Sequence, residues 1–252
     1  PNVRRKPFDD VRVRQAMSYA IDCGFIARAA FPGELGPANG PISAAFKPWH
    51  TDDVMAFGHD PAKAKALLDK AGLKPAKGGV RFRASLIFDP SFQRAAQLLK
   101  QQLGGVGIKL DLKLMDFNAW IKKLYIDKDF DLGYSRLTGP ADPDIGVKRA
   151  FISSNIAPVP FSNGESYRNP KVDALFERAA RETDMVKRVA LYAKIQQIIV
   201  IDQPQFFLVG GVGPWAWSPK FRGIDEAGSK SPYAFGRTAY MTSGSDSPPP
   251  SG

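Results

Sequence analysis

The chain has 252 residues, 44% of them hydrophobic and 24% charged, enough for one large or two ordinary globular domains with a sizeable core. No apolar run approaches the ~20 residues a spanning helix needs, and the single cysteine, Cys23, excludes an internal disulfide. The net charge of +10 raises nucleic acid as a partner, but the basic residues are dispersed over polar faces without interleaved stacking aromatics, so no nucleic acid is expected.

Asp9 and Asp10 mark the start of a first helix, with Val13, Ala16, Met17, Ala20 and Ile21 on one face. Gly24 interrupts it, and the helical pattern resumes up to Pro32-Gly33. A proline- and glycine-rich loop to His59 is expected to pack through Phe46, Trp49 and Phe57. Asp60-Pro61 pairs an N-cap with a first-turn proline, opening a helix on Ala64, Leu67, Leu68 and Ala71 that Gly72 ends.

Val80, Phe82, Ala84 and Leu86 alternate with polar residues as in a strand, and Ile108 to Leu114 repeats the pattern. Between them a helix uses Ala95, Leu98, Leu99 and Leu103, so the three form a βαβ unit with parallel strands and a right-handed crossover. A further helix is predicted over Ala119 to Ile126. FDLGYS, from Phe130, reads as a buried strand, followed by a loop and a short helix near Ile145 to Phe151. Asn169-Pro170 and Thr183-Asp184 start two late helices, FFLVGGV reads as a buried strand, and SGSDSPPPSG is a tail with the composition of disorder.

Polar chemistry concentrates after the FDLGYS strand, where open α/β sheets place ligands. Tyr134 ends that strand, and the loop carries Arg136, Leu137, Thr138, Gly139, Asp142 and Asp144. A guanidinium at Arg136 suits a carboxylate or phosphate held by two parallel hydrogen bonds; its alternative is a structural ion pair with a neighbouring Asp. Asp142 and Asp144 flank a proline, a capping pattern first; acid–base chemistry in a hydrolytic enzyme is the alternative. Trp120, Phe207, Trp215 and Trp217 are ligand walls or core. His50 and His59 lie in loop-like sequence with no metal-ligand spacing, so no metal, no cofactor and no enzymatic activity are expected.

Four collinear stretches carry a resemblance: PFDDVRVRQAMSYAID from Pro7, HDPAKAKALLDKAG from His59, FDLGYSRLTGPADPD from Phe130, and NPKVDALFERAARETDMVKRVALYAKIQQIIVIDQP from Asn169. Together, over roughly residues 7 to 225, the chain resembles the extracytoplasmic solute-binding proteins (family 5) of ABC importers for peptides, nickel complexes and opines. The resemblance implies an α/β fold of the type II periplasmic-binding-protein kind, with a mixed sheet flanked by helices. Residues 1–204 would form the second lobe, residues 205–240 a segment returning to the first lobe, and residues 241–252 a disordered tail. It implies a periplasmic or extracytoplasmic location, a permease partner, and a small-molecule or peptide solute. The family's chains are longer, so an N-terminal half of the same protein is expected as a companion. Peptide-binding members carry a tryptophan after this strand and an aspartate three residues on. Here those places hold Arg136 or Leu137, and Gly139 or Pro140, so the usual ammonium clamp is missing and an anionic solute is expected instead.

Overall fold

The structure is a computed structural model and describes residues 1–33, 35–136, 142–211, 218, 220–222 and 240–241. Two compact units divide the chain, Pro1–Val212 and Gly213–Gly252.

In the first unit, α1 (Val11–Ala20) is capped by Asp10, α2 (Cys23–Ala30) by Asp22, and α3 (Pro61–Lys70) by Asp60. Each carboxylate accepts a first-turn backbone N–H that would otherwise lack a partner. The Pro/Gly-rich stretch between α2 and α3 holds a two-residue strand, β1 (Gly36–Pro37), and sends Trp49 into the core, with Phe46 and Phe57 half-buried against it. The βαβ unit forms as its periodicity predicts: β2 (Phe82–Phe88), α4 (Gln93–Gly104) and β3 (Ile108–Leu114), with Phe82 opposite Ile108 in parallel register. A third strand, β4 (Leu132–Gly133), pairs parallel to the other edge of β2, giving the order β3-β2-β4.

The central strand alternates between two cores, as the period of two requires. Ala84, Leu86 and Phe88 face the main core under α1, α3 and α4, whereas Ile87 faces Trp120, Leu124, Tyr125 and Phe130. Trp120 comes from α5 (Phe117–Ile121), Leu124 and Tyr125 from the single π-helical turn Lys122–Ile126 that extends it, and Phe130 from the segment that follows. Two short helices follow, α6 (Pro143–Gly146) and α7 (Lys148–Phe151), then the long pair α8 (Pro170–Arg181) and α9 (Met185–Asp202). Val172, Leu175, Phe176 and Ala179 of α8 meet Tyr192, Ile195 and Ile199 of α9 in a separate core with Phe151, Tyr167 and Trp49.

Two strand expectations change. FDLGYS, predicted as a buried strand, contributes only Leu132–Gly133 to the sheet, and Tyr134 adds one further hydrogen bond to Ile87 O. Of FFLVGGV, Phe206 to Gly210 are half-buried, and among the described residues β5 (Val209–Gly210) pairs antiparallel to β1. Among the described residues, the parallel pairs lie in the sheet β3-β2-β4 and the antiparallel pairs in two-stranded sheets. The first unit includes Phe206, Leu208 and Val209, which pack on its main core. Within the second unit, β6 (Phe221–Arg222) pairs antiparallel to β7 (Tyr240–Met241); the rest of the predicted tail lies outside the described residues.

One side chain ties the beginning of this unit to its end. Arg14, 7% exposed, donates to the carbonyls of Phe8, Asp9, Asp202 and Gln203 at 2.7–3.2 Å. Gln15 donates to Ile201 O at 2.8 Å, and Ser18 to Gln203 Oε1 at 2.6 Å. The α9 C-terminus, rich in unpaired carbonyls and partial negative charge, is thereby capped by a cation from α1. Arg14→Met strands these carbonyls and is expected to destabilise the protein by about 3 kcal/mol. Arg12→Met, which removes an exposed pair with Asp10 and an exposed hydrogen bond to Lys70 O, should cost far less. Urea midpoints for the two variants check the difference; equal losses would remove Arg14 from this role.

Candidate functional site

Parallel strands end their ladders at one edge, and the chain leaving β4 passes there through Tyr134, Ser135 and Arg136. A cavity of about 40 Å³ lies beside it, bordered by Tyr125, Ser135, Arg136, Arg149, Phe161, Ser162 and Gln205. Two glycines shape this corner. A Cβ at Gly133 would collide with Leu124 Cδ1, and one at Gly164 would come within 2.9 Å of Leu124 Cδ2 and 3.1 Å of Tyr125 Cε1. Without side chains there, Tyr125 reaches the cavity and its hydroxyl lies 3.2 Å from Ser135 Oγ. Burial pushes the Tyr125 phenol up to about 12, although the Ser135 contact opposes it, so the hydroxyl stays neutral near pH 7.

The charges here are cationic. Arg136 is exposed, its guanidinium 5.6 Å from the centre of the Phe92 ring; that of Arg149 lies 5.8 Å from the Phe161 ring. Among the described residues neither has a carboxylate partner, so the structural ion pair considered for Arg136 does not form there. Arg149 Nε is buried without a hydrogen-bond partner. Glu165 accepts from the lining Gln205 Nε2 at 2.8 Å, and burial pushes its carboxyl upward.

The structure separates the other residues singled out from the sequence. Trp120 is packed in the core, 3% exposed, and meets Tyr125 edge-on at 5.9 Å. Tyr134 is buried too, stacked on Phe92 with ring centres 4.4 Å apart, and burial drives its phenol pKa upward. Asp142 has both oxygens engaged, at 2.9 Å each, by Arg188, and Oδ1 also accepts the Asp144 N–H in capping α6. Asp144 lies 3.3 Å from Lys148. Burial raises Asp142, but the Arg188 and backbone hydrogen bonds outweigh it and hold the carboxyl below its usual range. With Asp142 held ionised, the acid–base alternative lacks a proton donor there. Leu137, Thr138, Gly139, Trp215 and Trp217 lie outside the described residues.

Phe207 borders a different cavity, about 310 Å³, with Cys23, Met55, Phe57 and Phe206 among its walls. The Cys23 thiol there donates to Phe207 O at 3.7 Å, and burial pushes it up to about 11. Segment 205–208 thus touches both cavities, Gln205 the cationic one and Phe206 to Leu208 the apolar one. Sequence reasoning missed Arg149, Phe161, Ser162 and Gln205; each is locally ordinary, and only the fold brings them together. Among the described residues, no His, Cys, Asp or Glu cluster suits a metal ion and no helix is long and apolar enough to cross a membrane.

Against known proteins, the family model described as "Bacterial extracellular solute-binding proteins, family 5 Middle" matches residues 1–157. The glutathione-binding protein GsiB of Pectobacterium atrosepticum is 33% identical over 221 residues, covering 82% of this chain and 40% of that relative. The chain therefore spans less than half the length of the curated relatives it matches. The oligopeptide-binding protein AppA of Bacillus subtilis, solved with a nonapeptide, superposes with a TM-score of 0.78 at 24% identity, over 96% of this chain and 49% of that one. A mannohexaose-bound periplasmic oligopeptide-binding protein of Thermotoga maritima gives 0.77 at 25% identity, over 88% and 45%. The fold is that of the type II periplasmic binding proteins.

The Asp142–Arg188 pair generates a pH prediction, because Asn at position 142 keeps the cap and removes the charge. Since the Asp142 pKa is depressed by folding, its stabilisation is present above the unfolded value of about 3.9 and is lost as pH falls through the folded one. Wild type should exceed Asp142→Asn by about 1 kcal/mol at pH 7, and the gap in urea stability should close towards pH 2. A gap independent of pH would exclude the ion pair as its source.

Proposed function

The chain belongs to the bacterial extracellular solute-binding proteins of family 5, and from that premise we propose that it forms part of the receptor of an ABC importer. The receptor captures a small organic solute or peptide between two α/β lobes outside the cytoplasm and delivers it to the membrane permease. Residues 1–204 supply most of one lobe, and residues 205–240 return to complete the other. The companion lobe comes from the length that this chain lacks relative to its relatives. The protein is a binder and performs no chemistry on its cargo.

The observation that carries the solute class is Arg136: an exposed guanidinium at the carboxyl edge of a parallel sheet, without a carboxylate partner among the described residues. Such a group selects an anion, and neither of the places where peptide-binding relatives hold the ammonium clamp is filled by an acid in this sequence. The name of the GsiB relative supports one class in particular, a small acidic peptide such as glutathione. Closure follows from mass action: a solute that contacts both lobes favours the closed form by its difference in affinity for the two forms.

Glutathione at ten times its Kd should raise the protein's stability by about 1.4 kcal/mol in a melting scan and be recovered intact by mass spectrometry. Arg136→Ala should weaken glutathione about tenfold in calorimetry. Failure of glutathione and short acidic peptides to shift the melt, or their consumption, would overturn the proposal.

A further inference from the structure

We infer that Arg149, with Arg136, forms a carboxylate subsite, and that Arg149 sets a preference for solutes ending in a free carboxylate at that end. This presupposes the receptor function proposed above and adds a specificity-determining residue to it. Two guanidiniums border one cavity of about 40 Å³, room for a carboxylate or a water or two but not for a whole side chain. Like charges around so small a space repel unless an anion lies between them. Among the described residues no acidic side chain lines it, and Glu165 accepts from the lining Gln205.

The donors match the same ligand. Arg149 Nε is buried and unpartnered, a costly state that an acceptor oxygen relieves. The Tyr125 and Ser135 hydroxyls face each other at 3.2 Å, so one of the two has a proton to donate elsewhere. Ser162 is already committed to Ala157 O at 2.8 Å and serves as wall. Both guanidiniums lie against aromatic rings, Arg136 on Phe92 and Arg149 on Phe161, which holds them in place before the ligand arrives. A planar fork of donors fixed in this way fits a planar carboxylate in two parallel hydrogen bonds.

The test is calorimetric titration of the intact protein with glutathione and with each of its two monoamides. One monoamide should bind about 10- to 100-fold more weakly than the acid. In Arg149→Gln the acid should fall to the level of that monoamide, and Arg149→Lys should recover part of the loss. Two monoamides that bind like the acid overturn the subsite and leave the receptor function standing; so does an acid preference that survives in Arg149→Gln. If that variant does not fold by circular dichroism, the wild-type comparison of acid with monoamides decides alone. If glutathione does not bind wild type, the solute assignment fails and succinate against succinamide tests the subsite in melting scans. A rise specific to succinate and lost in Arg149→Gln supports the subsite; equal shifts overturn it.

Discussion

The guanidinium of Arg14 is the point on which the first unit turns. A buried cation needs close acceptors, and here four backbone carbonyls supply them. Two belong to the first nine residues and two to the end of α9, so segments nearly two hundred positions apart are fixed to one helix. The same knot forces Gln203 into a left-handed backbone conformation, φ 46°, which its amide offsets by bonding Ser18 and Val200. Beyond it the chain emerges aimed along Gln205 to Leu208, where it meets both cavities. The geometry of the candidate site thus depends on a contact with no ligand in it.

The helices were legible because their punctuation is local. Asp10, Asp60, Asn169 and Asp184 each accept backbone N–H groups at a helix start, and apolar spacing names the buried face. The strand FDLGYS misled because apolar composition marks burial, whereas pairing needs a neighbour, and β2 offers β4 only a short stretch of its edge. Trp120 illustrates the same ambiguity: an indole on an amphipathic helix looks alike whether it faces a ligand or Ile87. Arg136 was visible as a lone charge after a strand. Arg149 was not, since a basic residue in KRAF acquires meaning only when Phe161 and Ser135 are folded against it.

The two carboxylates of the DPD turn show how environment assigns roles to identical groups. Asp142 lies under Arg188, itself 5.0 Å from the Trp49 ring and 5.5 Å from the Tyr192 ring, and becomes a structural anion. Seven positions further along, Arg149 has no such partner among the described residues. Satisfied charges hold the scaffold and unsatisfied ones face a space, which is the division of labour expected of a preorganised binding surface.

The burial of Cys23 has a chemical consequence. With its thiol pushed up to about 11 by burial, the thiolate form is scarce at neutral pH. Disulfide exchange proceeds through thiolate attack, so this cysteine is a very slow reactant towards oxidised thiols in solution. A chain whose relatives include glutathione binders therefore keeps its own sulfur out of redox traffic by packing it against Phe207, without giving up the residue.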